Sequence, residues 1–518
     1  MAVGIDLGSC HARVAVRNAK GNGEVLSNTQ GHRYTKALVA TEPTEDDMED
    51  AMGHNHHHES KKKKQQQQQQ KQGPQYVFGD AAVRLNPLSV REELFKAMST
   101  TEGTNENNDE EEKEETKNSS NDGDDDNDDV NGNDSLTASI AAEPKAFLGY
   151  ICQLAADATA VPADQIRVVT AIPTPVDGSN DDTIGKVYGS AIAMSIKQLI
   201  GSKTKRKKFE GGCIGVLTEA AAVCVAHGLT DTANVGTASN HSILVLDGGA
   251  SGLKITRFQS HGGVLVQQSH RLLEKVSGPA FLTLLGQHVA QQFERKHRFP
   301  LGEVWQSKKA RAKLLKESER ALLGSSANLT FTIDGLYEGM DCNVTVSKPR
   351  WEMMASNLLR QAQAALAEHQ NIDTVLLAGT FTKPLLGPIV QKAFPQASRG
   401  DRDILPEEAI ALGCTKQAAM VLDSMNNPDA VRPTPTLANV PACPVSIGTD
   451  DSVLIPHGAP LPFRVTTKPC TDLYQLTPSR IHIAKIEGVE SAKQMILELS
   501  DVGELSITVD QQPTMTLA

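Results

Sequence analysis

The stretch SILVLDGGASGLKITRF (residues 242–258) decides the fold: an apolar run ends on Asp247, a glycine-rich turn follows, and a second apolar strand returns. This is the pattern of a β-hairpin whose turn offers backbone N–H groups to an anion. The N-terminus repeats the logic. VGIDLG (residues 3–8) is an apolar strand carrying Asp6 and Gly8, Gly8-Ser9-Cys10 makes the turn, and ARVAVRN (12–18) is the return strand. Two strand–aspartate–glycine hairpins about 240 residues apart point to an internal duplication: two related lobes, each contributing one phosphate loop.

Working outward, the length of 518 residues predicts about three domain-sized units or one large composite fold with an appendage. No run approaches the ~18 uninterrupted apolar residues of a membrane-spanning helix, so a membrane protein is excluded. MAVGIDLG has neither a basic leader nor an apolar h-region, and the eight cysteines are scattered without CxxC pairs. A reducing, cytoplasmic setting is the expectation, which makes the glycosylation sequons at Asn118, Asn328 and Asn343 chance matches. The net charge of −12 has one local source, since residues 102–129 hold 14 Asp and Glu against two Lys. The rest of the chain is close to neutral, which argues against DNA binding driven by bulk charge.

Two inserts interrupt the lobes. Residues 41–75 carry HNHHH, KKKK and QQQQQQ, and residues 99–135 are Asn, Asp and Glu almost throughout. Neither has the apolar content to offset the entropy of ordering, so both are predicted to be disordered. The His54, His56, His57, His58 cluster reads as part of a solvated tract rather than a metal site. The run Lys203-Thr204-Lys205-Arg206-Lys207-Lys208 is compatible with a ribosomal contact, although a solvated loop is the plainer reading. RPTPTLANVPACP (432–444) marks a Pro-rich linker, and alternating residues beyond it predict a small β module.

The duplication is the mark of the actin-like ATPase architecture, an α/β fold of two duplicated lobes around a nucleotide cleft. Its other pieces occur in order: LTEAAAVCVAHGL (217–229) and PEEAIALGCTKQAAM (406–420) as helices of small residues that can cross closely, and DTVLLAGTFTKP (373–384) as a strand with a glycine-bearing loop. Together with FGDAA (78–82), VVTAIPTP (168–175), GLYEGMD (335–341) and EEAIALG (407–413), the sequence resembles the heat shock protein 70 family over roughly 1–30, 76–96 and 142–470. The organisation expected is a nucleotide-binding domain at 1–425, a linker at 426–444 and a truncated β module at 445–518.

The resemblance implies ATP and Mg2+ as cofactors. Asp6 and Asp247 stand at the metal positions, and Glu219, Asp247 and Lys96, the nearest basic match on its helix, stand at the catalytic ones. The implied nucleotide contacts are Asp6, Gly8, Ser9, Cys10, Gly248, Gly249, Gly278, Glu317, Arg320, Gly379, Thr380 and Lys383. Three departures weaken hydrolysis. The first loop's Thr-Thr is Ser9-Cys10, and the second loop's threonine is Gly252. Its second aspartate, which organises metal and attacking water, is Lys254, and an ammonium cannot do that work.

The short tail lacks an acidic, leucine-rich linker and a 20-residue helical pattern for a lid. With the weakened site, this resembles the atypical family members of ribosome-associated complexes, the Ssz type. That resemblance implies a chaperone role in co-translational folding, with a zuotin-type J-domain protein and the ribosome as partners, and nascent polypeptides reached through a partner chaperone. An active ATP-hydrolysing chaperone is the alternative. A sugar or acid kinase on the same fold has no use for GLYEGMD or the β tail.

Overall fold

The computed structural model describes residues 1–18, 20–41, 76–79, 81–82, 88–94, 141–174, 182–200, 212–229, 241–261, 264–324 and 328–426, with 447–449, 452–455, 463–475, 483–485, 494–499, 505–509 and 512–517 beyond them. All but the first residue of the 41–75 insert, the whole 99–135 insert, Lys96, the 203–208 run and all but the first residue of the 426–444 linker lie outside the described residues, while Thr41 ends a strand. No described helix is long and apolar enough to cross a membrane.

The duplication is present as two sheets of matching construction. In the first lobe β1 (Ala2–Leu7) and β2 (His11–Arg17) form the predicted antiparallel hairpin, which β3 (Gly23–Val25) and β4 (Thr35–Lys36) extend. β5 (Leu38–Thr41), β6 (Tyr76–Phe78) and β7 (Leu88–Ser89) make a separate small sheet. β8 (Arg167–Ile172) lies parallel to β1, and β9 (Gly212–Thr218) lies parallel to β8. In the second lobe β10 (His241–Gly248) and β11 (Leu253–His261) form the equivalent hairpin and β12 (Val264–Leu273) extends it. β13 (Asn328–Tyr337) and β14 (Met340–Ser347) pair apart, and β15 (Thr374–Ala378) lies parallel to β10 as β8 does to β1. The chain has the actin-like ATPase fold.

The apolar faces of both hairpins are completely covered. In the first lobe, Val3, Ile5 and Val14 are buried with Phe147, Leu148 and Ile151 of α1 (Ala142–Thr159) and with Val187, Tyr188 and Ile192 of α2 (Asp182–Ile200). A separate core joins the lobes. It takes Val169 and Leu217 from the first sheet, Ile243, Val245 and Leu376 from the second, and residues of two helices between them, α3 (Glu219–Ala226) and a later helix at Ala409–Asn426.

After residue 446 every described element is a strand. Ile447–Thr449, Ser452–Ile455, Asp472–Gln475 and Ile483–Lys485 form one four-stranded antiparallel sheet; Phe463–Thr467, Met495–Leu499, Leu505–Val509 and Gln512–Leu517 form another. Met495, Leu497, Leu505 and Ile507 are buried at alternating positions, the period-two signal read from the sequence.

The helix crossing is unusually close. A Cβ on Gly413 would lie 1.8 Å from the carbonyl oxygen of Ala222 in α3, and a Cβ on Gly4 of β1 would lie 2.3 Å from the carbonyl oxygen of Ala411. Both obstacles are backbone, so neither can move without moving an element. Gly413→Ala is therefore expected to destabilise the fold by about 1–3 kcal/mol or more, as overpacking does. Chemical denaturation reads this directly, and an unchanged midpoint would show that the crossing yields.

Candidate nucleotide cleft

A cleft of about 420 Å3 opens between the two hairpin turns. Asp6, Gly8, Ser9 and Cys10 line it from the first turn; Asp247, Gly249, Ala250, Ser251 and Lys254 line it from the second; Gly379 and Thr380 close it from the loop after β15. Each turn is held by its own backbone. Gly8 N donates to His11 O at 3.0 Å, and Gly249 N donates to Gly252 O at 3.1 Å. Gly252 has φ +146°, and a Cβ there would meet Leu273 O at 2.7 Å, so this backbone excludes the family's threonine rather than merely lacking it. Gly379, at φ +78°, lets its loop approach until a Cβ would touch Asp247 Oδ1 at 2.5 Å.

Glu219 enters the cleft because Thr218 caps α3: the Thr218 hydroxyl accepts from Ala221 N at 3.3 Å, which sets the first turn and aims its acid outward. There it is only 4% exposed. Arg91 Nη1, from the helical turn at 90–94, donates to Glu219 Oε1 at 3.0 Å, while Lys254 Nζ donates to Glu219 Oε2 at 2.5 Å and to Asp247 Oδ2 at 3.0 Å. Burial favours the neutral acid, yet Lys254 and then Arg91 outweigh it and hold the Glu219 pKa down to about 2. Lys254 is likewise desolvated, but Asp247 and Glu219 raise its pKa above the ordinary lysine value. Both Glu219 oxygens are engaged in charge-assisted bonds, and so acidic a carboxyl group is a weak proton acceptor for water.

Asp6 differs. Burial pushes its pKa up to about 7, with Arg13 opposing and Glu219 and Asp247 adding to the rise. Arg13 lies opposite Asp6 in the hairpin register, just as Lys254 lies opposite Asp247. Its Nη2 reaches the Thr380 hydroxyl at 3.4 Å, linking the first hairpin to the loop of the other lobe.

These features decide what the cleft can hold. Arg13, Lys36, Arg91 and Lys254 line it together with the Ser9 and Thr380 hydroxyls, a donor set suited to a polyphosphate. A divalent cation is another matter. Among the described residues no group of three or more His, Cys, Asp or Glu is arranged to hold a metal, and Lys254 already occupies Asp247 Oδ2. At an effective dielectric constant near 20, two like unit charges 4 Å apart repel by about 4 kcal/mol, and a divalent ion beside the ammonium roughly doubles that. Asp6 and Asp247, the metal positions implied by resemblance, do not fit a metal in this arrangement.

A second cavity of about 880 Å3 is bordered by Thr380 and Glu407, residues that also line the first. Gly324 and Lys383 line this second space. Several expected contacts are not brought to either cavity. Glu317 and Arg320 bond to each other at 2.7 Å, and Arg320 also donates to Thr330 O; Glu319, two residues along the helix, is the acid that reaches the cleft. Gly278 is packed under Phe381 while Pro279 lines the wall, and Gly248 lies behind the turn, its N–H donating to Thr382 Oγ1. Arg91 is the basic residue that its helical turn delivers, five positions before Lys96. Arg13 and Arg91 were not singled out from sequence, although a signal existed for Arg13: it follows Asp6 by the same seven residues that separate Lys254 from Asp247.

Two duplicated hairpins facing one cleft define an ATPase-type fold of the actin class. Residues 212–446, a little under half of the chain, match the family described as Hsp70 protein. Relatives include heat shock 70 kDa protein 14-B of Xenopus laevis, 24% identical over 283 residues, which are 52% of this chain and 54% of the relative. Heat shock 70-related protein 5 of Dictyostelium discoideum is 26% identical over 280 residues (49% and 53%), and heat shock 70 kDa protein 14 of Bos taurus is 25% identical over 287 (52% and 54%). The chain spans about half the length of the curated relatives it matches.

Glu219→Gln leaves Arg91 and Lys254 buried without their shared anion, and is expected to cost roughly 3–5 kcal/mol near pH 7. The Glu219 pKa is depressed from its ordinary value of 4.5, so its contribution is complete above that value and is lost as pH falls toward 2. Urea unfolding of both proteins should therefore show the gap narrowing below about pH 5; a gap independent of pH would assign the loss to packing.

Proposed function

We propose that this chain is a nucleotide-binding, hydrolysis-poor co-chaperone of the Hsp70 type. It acts in the cytoplasm on the co-translational folding of nascent chains, together with a zuotin-type J-domain protein at the ribosome. The observation that carries this reading is the Lys254 ammonium seated between Asp247 and Glu219. Hydrolysis needs a water positioned for attack and charge stabilised as it develops. In this cleft the acid that would orient the water is bound by two cations. The polyphosphate donors remain, so binding is retained where turnover is lost. Lys383 and Gly324, in the adjoining cavity, are suited to the nucleoside end of the same ligand.

The J-protein and ribosomal assignments draw support from the resemblance to the Ssz type. A second reading, an ATP-hydrolysing chaperone acting on clients directly, is favoured by the convergence of Asp6, Glu219 and Asp247 on one cleft.

Single-turnover assays on the full chain distinguish the two. ATP is expected to bind and persist unhydrolysed, with no acceleration on adding a J-domain; robust J-stimulated turnover would overturn the proposal in favour of the second reading. Affinity purification is expected to recover a J-domain protein and ribosomal particles, and recovery of neither would remove the assigned partners.

A further inference from the structure

The mismatch between this cleft and a divalent cation has a consequence for the ligand itself. Lys254 is fixed by its strand: its backbone is paired with Asp247 on one side and Leu272 on the other, and its side chain is only 12% exposed. The ammonium therefore stands beside both second-lobe acids before any ligand arrives. Arg13 holds the equivalent register position opposite Asp6 in the first lobe. Asp6, Glu219 and Asp247 thus share one wall of the cleft with Arg13, Arg91 and Lys254, while Glu319, Glu407 and Lys36 also line it. Glu219 and Asp247, which would draw a divalent ion, are already bonded to cations of the chain itself: Glu219 to Arg91 and Lys254, and Asp247 to Lys254.

We propose that Lys254 is a tethered counter-ion standing in for the divalent cation, so that the cleft binds a nucleoside triphosphate as the free, metal-less polyanion. An ammonium carries three N–H donors, and Lys254 spends two of them on Glu219 and Asp247. Among the described residues no third acceptor is bonded to it, and because Lys254 lines the cleft the remaining donor can meet a phosphate oxygen. A magnesium-chelated triphosphate carries its cation to the same acids and meets the ammonium there, whereas the uncomplexed triphosphate brings only acceptors. The ligand class is a nucleoside triphosphate without its metal, and the inference rests on the nucleotide-binding reading above.

Titration calorimetry of the full chain with ATP, in excess EDTA and in excess Mg2+, tests it. Affinity is expected to be equal or higher in EDTA. A loss of roughly tenfold or more in EDTA overturns the inference and leaves nucleotide binding standing. No heat of binding in either buffer, with mixing enthalpy excluded by a second temperature, overturns both. Lys254→Asp is expected to make binding Mg2+-dependent; binding by that variant that stays indifferent to Mg2+ counts against the role given to Lys254. Should it fail to fold, Lys254→Met removes the charge at similar volume, and is expected to weaken binding in EDTA and recover part of it with Mg2+. The wild-type comparison needs neither variant.

Discussion

The contact of Gly413 with the carbonyl of Ala222 sets the geometry on which the cleft depends. Two helices can meet backbone to backbone only where one of them lacks a side chain, and this meeting fixes α3 between the two sheets. The first turn of α3 carries Glu219, so its depth below the cleft floor follows from the crossing. The same crossing brings the sheets close enough for side chains of both lobes to share one ionic cluster. Glu219 follows β9 of the first lobe, Lys254 and Asp247 belong to the second, and Arg91 reaches in from the small sheet's edge.

Removing so many charges from water is costly unless each is paired, and the cluster pairs them. That pairing determines the chemistry. A carboxylate held between a guanidinium and an ammonium is well placed as a structural anion and poorly placed as a base. Under the proposed function, the acid that such a fold would turn toward water serves instead to hold the lobes together. The cleft remains open and lined with donors, so the proposed affinity for phosphate and the proposed loss of hydrolysis have one cause.

Much of this was legible in the sequence, and the part that was not has a physical pattern. The hairpins were readable because strand, aspartate and glycine are local signals, and the departure at Lys254 was visible because it sits inside one. The small-residue helices were also readable, since close crossing demands Gly and Ala. Arg91 was missed because its importance comes from a contact with Glu219, far away in the chain, which no local pattern records; Arg13 was missed although the repeated seven-residue spacing after Asp6 marked it. Glu317 and Arg320 were expected in the cleft, but on a helix each residue turns the side chain by about 100°, and Glu319 holds the inward position. Gly252 was read as a lost threonine, whereas its φ and the nearness of Leu273 O show a turn that accepts no side chain.

Under the proposed function, the geometry of this turn limits what any single substitution could do for hydrolysis. Lys254 and Gly252 are coupled through the same turn: the glycine lets the chain pass under Leu273 O, and two residues later the lysine enters between the acids. Replacing Lys254 by an acid would leave Asp6, Glu219 and Asp247 beside a fourth carboxyl group, yet the turn would still present no hydroxyl to the phosphate. Restoring a threonine at 252 would meet backbone and a positive φ while the ammonium still held Glu219. Each change removes one obstacle and leaves the other in place. The second turn is therefore better described as a self-consistent alternative to the hydrolytic loop than as a decayed copy of it.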